Sequence, residues 1–292
     1  MFDGFTDASA DIEGVRIHAI KGGRGPALLL LHGHPQTHAI WHKVAPTLAE
    51  HFTVVAADLR GYGDSGKPQG TPDHASYSKR RMALDQVALM RALGFTSFAV
   101  MGHDRGGRVA ARMAIDHPDA VTQLITLDVA PTVAMYEQTS FEFARAYWHW
   151  FFLVRPAPFP ETLIRADPDL YLKQTMGARS AGLAPFAPEA YAEYLRCLSD
   201  PATAHGICED YRASITIDLE HDRADLGAGK RIECPFLALW GAHGTVGQCF
   251  DPLAQWRSWN AGVSGEALAC GHYIAEEAPQ LLLERVLPFL QR

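Results

Sequence analysis

Gly102-His103-Asp104-Arg105-Gly106 sets a carboxylate between glycines, after the apolar run Ser97 to Met101 and before a helix-like run, Arg108 to His117. Strand, tight turn and helix in that order form a nucleophile elbow, which lifts one side chain above a sheet. Serine at the centre would attack acyl carbonyls. A carboxylate is suited instead to in-line attack on saturated carbon, forming an alkyl ester that water must then open. The second step needs a base. His272, after Gly271 and behind the last strand-like run, stands where a water-activating imidazole would follow nucleophile and acid. The histidine in turn needs a carboxylate to hold its tautomer. Asp128 ends the run Leu124 to Leu127 and is favoured; Asp251 remains an alternative, and Gly244 occupies the place where an acid after the next strand would stand.

Two further features bear on the chemistry. The turn His32-Gly33-His34-Pro35 follows a buried run, so the backbone N–H groups of His34 and Arg105 could form an oxyanion hole for the ester-opening step. Arg105 and Arg108 flank the elbow, where two guanidinium groups can grip a substrate carboxylate and keep Asp104 ionised. Arg112, one turn further on, is expected to face solvent or cap its helix.

The elements that must position these residues follow from periodicity. Val15 to Ile20, Ala27 to Leu31 and Thr53 to Ala57 read as strands, and Ser78 to Leu93 as an amphipathic helix closed by Gly94. Strand character returns at Pro235 to Gly241 and at Glu266 to Ala269, and a helix from Pro279 to Phe289 ends the chain. Between Val133 and Ile217 the chain is aromatic, rich in helix formers and punctuated by prolines, with no strand-like alternation. The expected class is α/β: a mostly parallel sheet flanked by helices, residues 1–132 and 218–292, with a helical cap, 133–217, inserted after the sixth strand. His34, Asp58, Asp104, Asp128, Gly241 and His272 all fall at carboxyl ends of strands, where ligands bind in such sheets.

Composition narrows the rest. The 292 residues carry a formal net charge of -7 and no Lys/Arg block, which argues against nucleic acid as a partner. The N-terminal segment has neither a basic nor an apolar leader region, and no apolar run approaches the ~20 residues of a membrane span, so a cytoplasmic protein without membrane association is expected. Five scattered cysteines without CxxC spacing imply neither zinc nor disulfides. No metal or organic cofactor is required by the chemistry above.

HGHPQT at 32–37, DLRGYGDS at 58–65, GHDRGGRVA at 102–110, LDVAPT at 127–132, YWHW at 147–150 and GHYI at 271–274 together resemble the fluoroacetate dehalogenases, α/β-hydrolases that act on haloacetates. The resemblance spans nearly the whole chain and is weakest between Ala157 and Cys208. It implies Asp104 as nucleophile, His272 as base, Asp128 as its partner, and Arg105 and Arg108 as ligands of the substrate carboxylate. It also implies a halide cradle of His149, Trp150 and Tyr211, a haloacid substrate, and a homodimer. The residues make chemical sense of that cradle, since indole N–H, phenol O–H and imidazole N–H would stabilise a departing fluoride. Read without the resemblance, Tyr147 to Phe152 is an aromatic helix packing the cap onto the core. His34 departs from the large apolar residue usual in the family, and the Gly/Ala-rich stretch Met176 to Pro188 suggests a roomier pocket.

Three readings follow. The leading one is a hydrolytic haloacetate dehalogenase that forms glycolate and halide. An epoxide hydrolase would use the same nucleophile, with Tyr147 and Tyr211 as donors, although two arginines suit neutral epoxides poorly. A non-catalytic sensor of a small ligand could retain all three catalytic side chains.

Overall fold

A computed structural model describes residues 1–179 and 181–292; Ser180, inside the Gly/Ala-rich stretch, lies outside the described residues. Ten strands form in chain order: β1 (Thr6–Asp7), β2 (Ala10–Ile12), β3 (Val15–Ile17), β4 (Ala19–Gly22), β5 (Ala27–Leu31), β6 (Thr53–Ala57), β7 (Phe98–His103), β8 (Val121–Leu127), β9 (Phe236–Gly241) and β10 (Ser264–Leu268). Eight make one sheet in the order β1-β4-β6-β5-β7-β8-β9-β10, while β2 and β3 form a separate antiparallel ribbon. From β6 to β10 neighbouring strands run parallel; β1 and β4 at one edge are antiparallel to their neighbours. The expected single strand Val15 to Ile20 is therefore broken at His18 into two strands that belong to different sheets.

The central strands are apolar because helices cover both faces. Leu28 to Leu31, Val54 to Ala57 and Phe98 to His103 are all buried. Alternate residues serve opposite sides: Leu29, Leu31 and Val55 pack under one helical layer, Leu28, Leu30 and Val54 under the other. The helix Lys79–Ala92 begins where expected, with Ser78 capping the N–H of Arg81, and Gly94 following at φ +89°. β8, the sixth strand of the main sheet in chain order, is followed by helices up to Gly227 before β9 begins. Among the described residues no helix is long and apolar enough to cross a membrane.

The carboxyl ends of the strands are tied together by buried polar groups. Asp58, just beyond β6, is fully buried and accepts the backbone N–H groups of His38 (2.7 Å) and Asp64 (3.0 Å), with His38 Nδ1 also at 3.0 Å. Burial works against its charge, but His38 and His32 outweigh that and hold the carboxyl below the usual range. The same pairing raises His38, again against burial. The two signs define a window. Stabilisation from Asp58 is present above about pH 4 and lost as the pH falls, whereas that from His38 is present below about pH 6.5 and lost as the pH rises through its raised value. Asp58→Asn should cost about 3 kcal/mol. Thermal unfolding across pH should show the wild-type advantage largest between about pH 4 and 7; an advantage that kept growing into alkali would contradict the pairing.

Candidate active site

Asp104 ends the turn after β7 in a backbone conformation few side chains adopt, φ +47° and ψ −112°. The turn closes because its flanks are glycine: a Cβ on Gly102 would stand 2.3 Å from the Gly106 carbonyl, and one on Gly106 would stand 2.3 Å from that of Leu31. The helix Arg105–Asp116 starts at once. The carboxylate is buried, and its Oδ1 accepts the backbone N–H of His34 at 3.1 Å. Burial alone would raise its pKa. His272, His103, Arg105 and Arg108 together reverse that and hold it below the ordinary carboxylate range, so the group stays ionised.

His272 and Asp128, expected as base and partner, are in direct contact. Nδ1 of His272 lies 2.6 Å from Asp128 Oδ2, and Asp128 Oδ1 accepts the N–H of Gly241 at 2.9 Å. Burial depresses His272 well below the usual imidazole value, and Arg179 and His103 add to it, so the ring rests neutral. With the proton on Nδ1 facing Asp128, Nε2 is a free acceptor, buried and without a partner among the described residues. His103 steadies the loop through Nε2, 2.9 Å from the His272 carbonyl. Asp251 is exposed and caps the helix Pro252–Trp256 through Ala254 N–H, so it does not serve His272. Gly244 explains itself: a Cβ there would meet the Asp128 carboxylate at 3.1 Å.

The two arginines are buried differently. Arg105 gives Nε and Nη2 to Asp210 (2.8 and 2.7 Å) and Nη2 also to Ser214, leaving Nη1 buried without a partner. Asp210 also takes the Lys79 ammonium and the Tyr62 hydroxyl, the latter at 2.6 Å. Arg108 bonds the Ala130 carbonyl (2.9 Å) and Thr132 Oγ1 (2.8 Å), and its Nε is buried and unpartnered. Arg112 faces neither solvent nor a helix end. It is buried against Asp116, Asp222 and Asp225, because the helix Ile217–Gly227 supplies carboxylates that no local pattern announces.

The helical segment roofs this floor. The helix Trp148–Leu153 contributes His149 and Trp150, and Pro201–Ile215 contributes Tyr211, all buried. The Arg105 guanidinium lies 4.1 Å from the Tyr211 ring centre and that of Arg108 lies 4.7 Å from the Trp150 ring. Trp150 Nε1 and Tyr211 Oη are buried donors without a partner. The His34 ring stacks on His149 at 5.7 Å and meets Tyr211 edge-on at 5.4 Å. Burial lowers its pKa to about 3, so it is a neutral polar wall.

Three participants escaped the sequence reading. Tyr171, from the helix Pro168–Leu172, lies with its hydroxyl 2.9 Å from His34 Nε2. Asp210 braces Arg105; its adjacency to Tyr211 was the available clue. Arg179 donates to Tyr147 Oη at 3.1 Å, and that hydroxyl lies 3.4 Å from His272 Nδ1. Arg179 and His272 also line one cavity of about 210 Å³.

Residues 26–279 match the model of the alpha/beta hydrolase fold family. The chain is 49% identical over 280 residues to a fluoroacetate dehalogenase from Burkholderia sp., covering 96% of this chain and 91% of that protein. It is 35% identical over 288 residues to a soluble epoxide hydrolase from Corynebacterium sp. (strain C12), covering 97% and 96%. A crystal structure from Nostoc sp. PCC 7120, described as of alpha/beta hydrolase type, superimposes with a TM-score of 0.97 at 52% identity over the full length of both chains.

The short His272–Asp128 contact should give a far-downfield imidazole N–H resonance in proton NMR. Asp128→Asn should abolish that resonance and Asp251→Asn should leave it in place. A resonance that survived the first substitution would place the proton elsewhere.

Proposed function

The chain belongs to the α/β-hydrolase fold family, in the group that includes fluoroacetate dehalogenase, and from that premise we propose that it hydrolyses haloacetates to glycolate and halide. The observation that carries the reading is a pair of buried cationic N–H groups without a partner among the described residues, Arg105 Nη1 and Arg108 Nε, beside a buried carboxylate. Unpaired buried donors of this kind cost several kcal/mol, roughly 1–3 each, unless a ligand satisfies them. A substrate carboxylate does so.

Asp104 Oδ1 is already held by the His34 N–H, which leaves Oδ2 as the attacking oxygen. Oδ2 bonds the α-carbon as the carbon–halogen bond breaks, and the halide departs with both bonding electrons. Trp150 Nε1–H, Tyr211 O–H and an N–H of His149 would receive it; donors that meet charge only as it develops lower the barrier rather than bind the ground state. Water, deprotonated by His272 Nε2, then attacks the carbonyl carbon of the Asp104 ester. The resulting oxyanion forms on Oδ1, between the His34 and Arg105 N–H groups, while Asp128 stabilises the imidazolium. Collapse breaks the bond between the Asp104 carboxyl carbon and Oδ2, His272 gives its proton to the departing glycolate oxygen, and the Asp104 carboxyl releases the second water proton to solvent and regains its charge.

The unpartnered Tyr211 hydroxyl beside His149 would also suit an epoxide oxygen, and that supports epoxide opening as a second reading. A neutral epoxide would leave both arginine donors unmet.

Halide release measured with fluoroacetate and chloroacetate, alongside diol formation from small epoxides, separates the readings: glycolate is expected, and diol without glycolate would replace the dehalogenase by the hydrolase. Binding of haloacetate without any turnover would favour a sensor. Asp104→Asn should lower glycolate formation by roughly 10⁴-fold, with mass spectrometry excluding reversion to Asp. His272→Asn should release about one halide per site and trap the alkyl ester, visible as added mass. Neither adduct nor burst would remove the two-step scheme.

A further inference from the structure

Arg179 is the cation in this pocket for which the proposed reaction has no use. Its Nε bonds the Thr175 carbonyl (3.0 Å) and its Nη1 the Tyr147 hydroxyl (3.1 Å), and among the described residues no carboxylate pairs with it. The guanidinium lies 4.6 Å from the Tyr147 ring centre and 5.4 Å from that of Tyr273, held between the helical segment and the loop that carries His272. Arg105 is neutralised by Asp210, and Arg112 by three aspartates. Among the described residues, aromatic faces, a hydroxyl and a carbonyl touch Arg179, and Asp104 acts on it only through space.

Its position is specific. The Tyr147 hydroxyl bridges it to His272, so the guanidinium lies two hydrogen-bond lengths from the catalytic imidazole. The cavity of about 210 Å³ that Arg179 shares with His272 is lined otherwise by Ala146, Ala178, His243, Gly244, Thr245 and Gln248. The Tyr147 ring that Arg179 covers lies 5.3 Å from the ring of His149 in the roof of the site, and Arg105 and Arg108 stand on the elbow helix. A ligand held by those two at one end, with its reacting carbon against Asp104, would extend any further substituent towards Arg179.

We propose that Arg179 is a second carboxylate site, and that the pocket accepts 2-halodicarboxylates of the halosuccinate type, with the distal carboxylate on Arg179. This rests on the dehalogenase reading for its chemistry but not for its binding. Displacement would proceed as for haloacetate: Asp104 Oδ2 bonds the halogen-bearing carbon, halide leaves, and water opens the ester to give a 2-hydroxydicarboxylate. Arg179 forms no bond to reacting atoms; it selects and positions.

Two measurements test it. Calorimetric binding of succinate and of butyrate isolates the distal charge at matched chain length, and needs no turnover. Wild type should bind succinate at least about tenfold tighter, as a charge-assisted hydrogen bond allows. Arg179→Gln, which can keep a hydrogen bond to Tyr147, should erase that advantage, and Arg179→Lys should restore part of it. Halide release should show the same split, with kcat/KM for 2-chlorosuccinate falling about tenfold further than for chloroacetate in Arg179→Gln. Equal binding of the two acids by wild type, or a succinate advantage that survives Arg179→Gln, would overturn the site. Failure of wild type to release halide from chloroacetate would instead sink the dehalogenase reading, and the succinate comparison would still decide Arg179.

Discussion

A carboxylate must remain charged out of bulk water, and the site is organised around that demand. Leaving Asp104 ionised and alone in an apolar interior would cost tens of kcal/mol on the Born scale, so it would simply take up a proton and lose its charge. His272 and His103 together with Arg105 and Arg108 offset the burial, and the His34 N–H gives one hydrogen bond. Burying Arg105 creates the same difficulty in reverse, and Asp210 answers it. Asp210 then takes Lys79 as well, so that charges alternate from the elbow through the helical segment and back to the helix Lys79–Ala92. Each member is tolerable only because the next is present.

Steric limits do the complementary part. Gly102 and Gly106 let the elbow press against its own helix and against β5, and that closeness holds Asp104 at its unusual φ. The parallel strands below deliver His34, Asp104, Asp128 and His272 to one rim, since each lies just past a carboxyl end. Polar contacts then set the finer geometry: Gly241 N–H on Asp128, and His103 on the His272 carbonyl.

The rim was legible in the sequence, and the physics says why. Buried parallel strands are continuous apolar runs, and the residues that end them announce themselves by position, which is how Asp104 and His272 could be named from spacing and Asp128 favoured over Asp251. The helical segment was legible only in kind. A 3.6-residue period tells which face of a helix is buried but not what it is buried against, so Tyr171, Asp210 and Arg179 were missed. Arg112 was misread for the same reason, because one of its carboxylate partners lies 110 residues further along the chain. The short N-terminal strands β1 and β2 have too little apolar content to stand out; pairing with β4 and β3 makes them strands. The reading of His149, Trp150 and Tyr211 as a halide cradle came from family resemblance, since an aromatic helix by itself reads as packing.

The Arg105–Asp210 pair has a consequence for modularity. Asp210 sits on the helix that also carries Tyr211, whereas Arg105 opens the elbow helix, so the contact that docks roof to floor is the one that aims a guanidinium into the pocket. Roof and floor are therefore not interchangeable parts. A chimera that grafted a foreign helical segment onto this sheet without an acid at position 210 would inherit an uncompensated cation beneath it, and would lose aim and cohesion together.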